Sequence, residues 1–382
     1  MTKFFKKLLV LPLFCVILSA CAPSLVPSEN SVMHDENNII NYTTQLYKVT
    51  GKGSYNEALC EEHGVGGTDL GMPFTLPDNR VMMLFGDTFS GENKAGFWNS
   101  NFMAITSDTD LSDGLVFDEL VVRENGMIKP FAQGAHQDDN EHDRSVEVTK
   151  IPTGGITVNG EVYIFYMSVR WWGPSSSWNV TYNQCVKARH NDDGTYDYTD
   201  FYEVDGLRWD DTELFYAGQI HPIEENNHPD YIYFIMTAGG RHHGSCMMRV
   251  KKEKFEQKDE YEYLVAHDSW VKGDEGINML HTSPYFVIEG KTLEPNLTFN
   301  PYLNKYISFN MYGKMWVSEN IIGPYTESYE YKTPFNEPTV DGGNGYGFFI
   351  FERFMDYGGK RMFLQVSRWN TYNTFVHEVV LR

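Results

Sequence analysis

Short apolar runs, each bounded by Gly, Pro or Asn-Asp clusters, set the rhythm of this chain from Tyr47 onward. The runs at 71–76, 81–85, 162–169, 231–237, 305–311 and 362–366 are β-prone and of strand length. Pro77-Asp78-Asn79-Arg80 reads as a turn that folds the first two runs into a hairpin. Helical periodicity is scarce, and the charged stretch 251–258 reads as a surface excursion. The runs gather into five clusters, at 66–122, 146–190, 215–263, 293–330 and 346–382, with long loops between them. Each cluster holds three or four strands, which predicts an all-β, five-bladed β-propeller whose closure protects its sheet edges. Periodicity alone leaves a pair of β-sandwiches open.

The start of the chain follows different rules. Lys3, Lys6 and Lys7 precede an apolar stretch at 8–18 that is too short to span a bilayer. Leu18-Ser19-Ala20-Cys21 resembles the lipobox of bacterial lipoproteins, in which the cysteine is lipidated and becomes the mature N-terminus. Residues 1–20 are therefore expected to be a lipoprotein signal peptide, 21–45 a polar, flexible tether, and 46–382 the propeller. An ordinary secretory signal is the alternative. The expected product is an exported bacterial lipoprotein, membrane-anchored through Cys21 at the cell surface or in the periplasm.

Composition narrows the partners. A formal charge of −21, more acidic still once the leading lysines are discounted, repels phosphate backbones and argues against nucleic acid. A neutral glycan fits without strain, and 24 Tyr, 25 Phe and 8 Trp supply rings for aromatic-lined clefts. Cys60, Cys185 and Cys246 allow one disulfide at most. No Cys-x-x-Cys pair or His-rich spacing suggests zinc, and neither metal nor cofactor is expected. The acidic stretch 136–143 lacks the spacing of a calcium loop and reads as solvated.

Two aspartates carry the candidate chemistry. Asp69 lies in Gly-Gly-Thr-Asp-Leu-Gly and Asp87 in Phe-Gly-Asp-Thr-Phe, each Gly-flanked beside a strand-like run. Either alone reads as a turn aspartate bonding its own backbone. Two on adjacent strands point to a pocket. Trp171, Trp172 and Trp178, in a Gly/Pro/Ser loop, could stack on sugar faces or pack in the core. His221 and His281 could line the same cleft or serve as structural donors.

Gly67-Thr68-Asp69-Leu70-Gly71 and Phe85-Gly86-Asp87-Thr88-Phe89 resemble the opening of the domain of unknown function 4185, now glycoside hydrolase family 183. Further matches follow in order: Ile151-Pro152-Thr153-Gly154, Trp172-Gly173-Pro174, Thr237-Ala238-Gly239-Gly240-Arg241, Asn300-Pro301-Tyr302, and Ser367-Arg368-Trp369-Asn370-Thr371-Tyr372-Asn373. The resemblance spans about residues 60–382. It implies a five-bladed propeller with endo-D-arabinanase activity, cutting α-D-arabinofuranosyl linkages of mycobacterial arabinogalactan and lipoarabinomannan with retention. It carries the catalytic pair onto Asp69 and Asp87. Analogy with other five-bladed furanosidases makes Asp69 the nucleophile and Asp87 the acid/base, with the reverse order open. Glu294 is implied as a third carboxylate, and Arg241, Trp172, Trp178, His221, Trp369, Asn370 and Tyr372 are candidates for substrate contact. Gly239-Gly240, His242-His243 and the 133–143 stretch depart from common members and bear on fine specificity. A non-catalytic glycan-binding lipoprotein and a furanosidase acting on another glycan are the competing readings.

Overall fold

Two strands at the start of the described chain complete the sheet built by its last three. The computed structural model describes residues 25–174, 177–210, 217–224, 227–240, 242–290, 292, 294–309, 313–329 and 345–382. Strand β1 (Val32–Met33) pairs with β2 (Ile40–Lys48), and a short helix α1 (Glu57–Glu62) follows. Blade I is β3 (Gly67–Thr75), β4 (Val81–Gly91), β5 (Ala95–Asn99), β6 (Phe102–Thr106) and β7 (Glu119–Leu120). Blade II is β8 (Thr149–Val158), β9 (Glu161–Trp171), β10 (Asn179–His190) and β11 (Tyr196–Asp210). Blade III is β12 (Gln219–Pro222), β13 (Tyr231–Thr237), β14 (Cys246–Lys251), β15 (Glu262–Ala266) and β16 (Ser269–Lys272), trailed by helix α2 (Gly273–Thr282). Blade IV is β17 (Thr298–Asn300), β18 (Lys305–Phe309), β19 (Met315–Ser318) and β20 (Thr326–Tyr329). Blade V is β21 (Gly345–Ile350), β22 (Arg361–Arg368) and β23 (Asn373–Leu381), extended by β2 and β1. Every pairing is antiparallel, and the five small sheets form a five-bladed β-propeller.

The hairpin expected from the first two runs is present, with Thr75 opposite Val81 and Asn79 at φ 68° in the turn. One expectation is corrected. Part of the segment read as tether, 21–45, belongs to the propeller, because Ile40, Tyr42, Thr43 and Thr44 are buried against β23. Polar neighbours (Asn37, Asn38, Asn41) mask this strand in the sequence; its partner lies more than 300 residues away.

Between the blades the faces are apolar. Phe85 stacks on Phe102 at 4.4 Å within blade I, while Phe165 of blade II meets Phe234 of blade III edge-on at 5.5 Å. Burying such a side chain stabilises the fold by about 1.5–3 kcal/mol. The same packing fixes the innermost strands, whose starts surround one mouth of the central channel. Cys60, Cys185 and Cys246 are buried, free thiols.

Candidate active site

Irregular pairing aims the two aspartates. Thr68 pairs with Thr88 but Leu70 pairs with Phe85, so Asp69 sits in a bulge opposite Gly86 and Asp87. Leu70 (φ 64°) and Gly71 (φ 78°) are both left-handed there, and the Leu70 amide donates to Ser367 Oγ of blade V at 2.7 Å. A Cβ on Gly86 would collide with Asp69 Oδ1, so glycine leaves the space that the Asp69 carboxyl occupies. Innermost β3 therefore carries one carboxyl and its neighbour β4 the other.

Asp87 is buried. Its Oδ1 accepts from Trp98 Nε1 at 2.8 Å and from Thr149 Oγ1, on blade II, at 2.6 Å. Burial pushes its pKa up to about 7, with the Asp69 charge adding to the rise and both hydrogen bonds opposing it. Trp98 is itself fixed by stacking on His136 at 3.8 Å.

Asp69 is partly buried, and its Oδ2 accepts from the Tyr346 hydroxyl at 2.9 Å. Burial pushes its pKa up to about 6, with Glu294 also raising it. Tyr346, Lys94 and, more weakly, Tyr372 favour its charged form. Lys94, held left-handed at φ 61°, places Nζ 4.2 Å over the Tyr372 ring. The two carboxyls interact, so they titrate as a pair.

Both open into a cleft of about 410 Å³ at the channel mouth. The structure brings Glu294, Trp172, Trp178, Trp369 and Tyr372 to its walls alongside Asp69 and Asp87. Trp172 and Trp178 meet edge-on at 5.8 Å on the blade II side, and Trp369 stacks on Tyr346 at 4.0 Å on the blade V side. His221 and Asn370 do not line it. The His221 Nδ1 lies 2.9 Å from the Thr153 carbonyl, and burial pushes its pKa down to about 4, as for a neutral structural donor. Asn370 is exposed. Arg241 lies outside the described residues, as does Cys21.

Sequence reasoning missed Lys94, Trp98, Gln219 and Tyr346, all cleft residues. Gly345-Tyr346-Gly347 carries the same glycine signal as the aspartates, whereas nothing local marks the others. A larger groove of about 760 Å³ opens at the far ends of the innermost strands, beside Thr75, Glu224 and Arg353, and none of the sequence candidates lines it. The stretch 137–145 is exposed. Among the described residues no cluster of three or more His, Cys, Asp and Glu could hold a metal ion.

Fold and cleft together define a five-bladed propeller with an interacting carboxyl pair at one mouth of its channel. The chain belongs to the family described as domain of unknown function DUF4185, whose profile matches residues 55–378. It is similar to the "Notoamide biosynthesis cluster protein J'" of Aspergillus versicolor, 27% identical over 207 residues, or 52% of this chain and 54% of that protein. The chain thus spans about half the length of the curated relative it matches. Among solved structures, a suspected hydrolase of Bacteroides ovatus superposes with a TM-score of 0.61 at 12% identity, covering 92% of this chain and 93% of that one. The catalytic domain of a Coprinopsis cinerea GH62 α-L-arabinofuranosidase has a TM-score of 0.42 at 9% identity, covering 88% and 95%. At 12% identity the likeness to the Bacteroides ovatus structure is one of fold.

Proposed function

We propose that the protein is a glycoside hydrolase that cleaves α-D-arabinofuranosyl linkages within D-arabinan, with retention, using Asp69 and Asp87. The observation that carries this reading is the pair itself: two interacting carboxyls on adjacent strands, with raised pKa values, at the floor of an aromatic-walled cleft. Double displacement needs carboxyl groups about 5–5.5 Å apart. Neighbouring strands lie about 4.7–4.9 Å apart, a spacing that suits it. Asp69, with the lower pKa and the Tyr346 bond, suits the nucleophile; Asp87 suits the acid. Asp69 attacks the anomeric carbon while the glycosidic bond breaks and Asp87 gives its proton to the leaving oxygen. Asp87 then takes a proton from water, whose oxygen attacks the same carbon and frees the Asp69 carboxylate.

The name of the Bacteroides ovatus structure agrees with hydrolysis. The arabinan substrate rests on the motifs around Asp69 and Asp87. Rings on both sides of the pair favour a polymer passing across the cleft, hence internal cuts. Incubating purified protein with mycobacterial arabinogalactan should release short arabinosides of several lengths; an unchanged polymer would contradict the reading.

Productive enzyme needs Asp69 ionised and Asp87 protonated. Activity should therefore rise as pH passes about 6 and fall above about 7. Tyr346→Phe removes a donor that favours the Asp69 carboxylate, so the acid limb should move to higher pH. A hydrogen bond to a charged group contributes about 1.5–3 kcal/mol, so kcat/KM should drop about 10–100-fold. A pH–rate profile identical to wild type would remove this role.

Export belongs to the same reading: residues 1–20 direct secretion and Cys21 receives the lipid, supported by Leu18-Ser19-Ala20-Cys21. Among the described residues no helix is long and apolar enough to cross a membrane. A Cys21→Ala variant should lose metabolic lipid labelling. Unchanged labelling and membrane association would count against the anchor.

A further inference from the structure

One wall residue of the cleft holds an amide without an obvious partner. Gln219 opens β12, the innermost strand of blade III, and the residue is only 2% exposed. The backbone around it is fixed. Asn183 Nδ2 donates to the Gly218 carbonyl at 3.2 Å, Thr153 Oγ1 donates to the Ile220 carbonyl at 2.8 Å, and Gln219 pairs with Thr237. Strand alternation sends Ile220 into the core and Gln219 to the cleft. There its Nε2 is buried and meets no acceptor among the described residues.

A buried donor left unpaired is costly, because it has given up its bonds to water. Such an arrangement is reasonable where a ligand brings the acceptor. Gln219 lines the same cleft as Trp172, a partly buried ring that stands edge-on to the core residue Trp178. Rings present apolar faces to a sugar, and the amide reads its oxygens.

We propose that Gln219 is a specificity-determining residue: its amide donates to a hydroxyl or ring oxygen of the neutral pentofuranosyl unit seated against Trp172. The assignment rests on the glycan-cleaving reading of the cleft and adds the subsite that selects the chain beside the cleaved bond. Gln219 touches the bound glycan in ground and transition states alike, so its loss acts on binding.

The test uses the full chain, mycobacterial arabinogalactan, oligoarabinosides from its partial acid hydrolysis, and an aryl α-D-arabinofuranoside that fills little beyond the reacting bond. Gln219→Leu should raise KM on arabinogalactan about tenfold, the equivalent of 1.4 kcal/mol, with kcat and aryl-substrate kinetics little changed. Gln219→Glu, which replaces the donor by an acceptor, should fare no better. In wild type, the Gln219 side-chain amide resonances should shift as oligoarabinosides are added, a readout that needs no variant to fold. Arabinogalactan cleavage with unchanged KM in a folded Gln219→Leu, or unshifted amide signals on binding, overturns the assignment alone. Oligoarabinoside binding with an amide shift but no cleavage upholds Gln219 and removes the catalytic reading instead.

Discussion

Asp87→Asn should lower kcat/KM on arabinogalactan by about 10²–10⁴-fold, the usual contribution of general acid–base help. The same substitution should raise the melting temperature at pH 8. Asp87 is held near pKa 7 in the fold, far above its usual 3.8, because burial disfavours its charge. Between those values the native state keeps a proton that the unfolded chain has released. Stability from this site therefore falls as pH rises from about 4 to about 7, and above 7 the folded protein carries the full penalty of a buried charge. Asparagine retains the Trp98 and Thr149 neighbourhood without that charge, so the stabilisation should appear at pH 8 and vanish near pH 4. Aryl substrates with good leaving groups should keep the first step and stall at deglycosylation. Asp69→Asn should lose more, since it removes the nucleophile, and azide should restore part of its rate as an inverted glycosyl azide. Near wild-type hydrolysis by both variants would contradict the assignment; melting curves between pH 4 and 8 check the electrostatic half.

Removing residues 25–48 should destroy the cooperative fold. This segment supplies β1 and β2, and seven register pairs join β2 to β23, enough that their loss bares the outer edge of blade V along nearly its whole length. Ile40 and Tyr42 are 0% and 1% exposed, and each buried side chain of that size is worth about 1.5–3 kcal/mol. Arg382 also loses acceptors, at the Asn38 and His34 carbonyls. Domains are stable by only about 5–15 kcal/mol, so the sum removes most of the margin. Ring closure makes the damage global, because blade V also supplies Ser367 to the Leu70 amide beside Asp69. Circular dichroism should show no sharp thermal transition in the truncated chain. A transition at the wild-type midpoint would mean that the segment is dispensable.

The features legible in the sequence were those written locally. Glycines beside Asp69 and Asp87, and the Pro77-to-Arg80 turn between their strands, marked a hairpin with two presented carboxyls, and the structure contains that hairpin. Five clusters of runs correspond to five sheets. Strand β2 escaped because its burial depends on β23 across the ring, not on its own alternation. Gln219, Trp98 and Tyr346 escaped for a related reason: they reach the cleft from three different blades, and only closure brings them together. Asn370 and His221 show the converse. Each sits in a motif that looked functional, yet one faces solvent and the other bonds a backbone carbonyl.

The measurement closest to the central claim is proton NMR of the anomeric signal during cleavage of an aryl α-D-arabinofuranoside. Double displacement through Asp69 gives the α-anomer first, with the β-anomer growing in only by mutarotation. A β-anomer formed first would show a single displacement by water and contradict a nucleophilic Asp69.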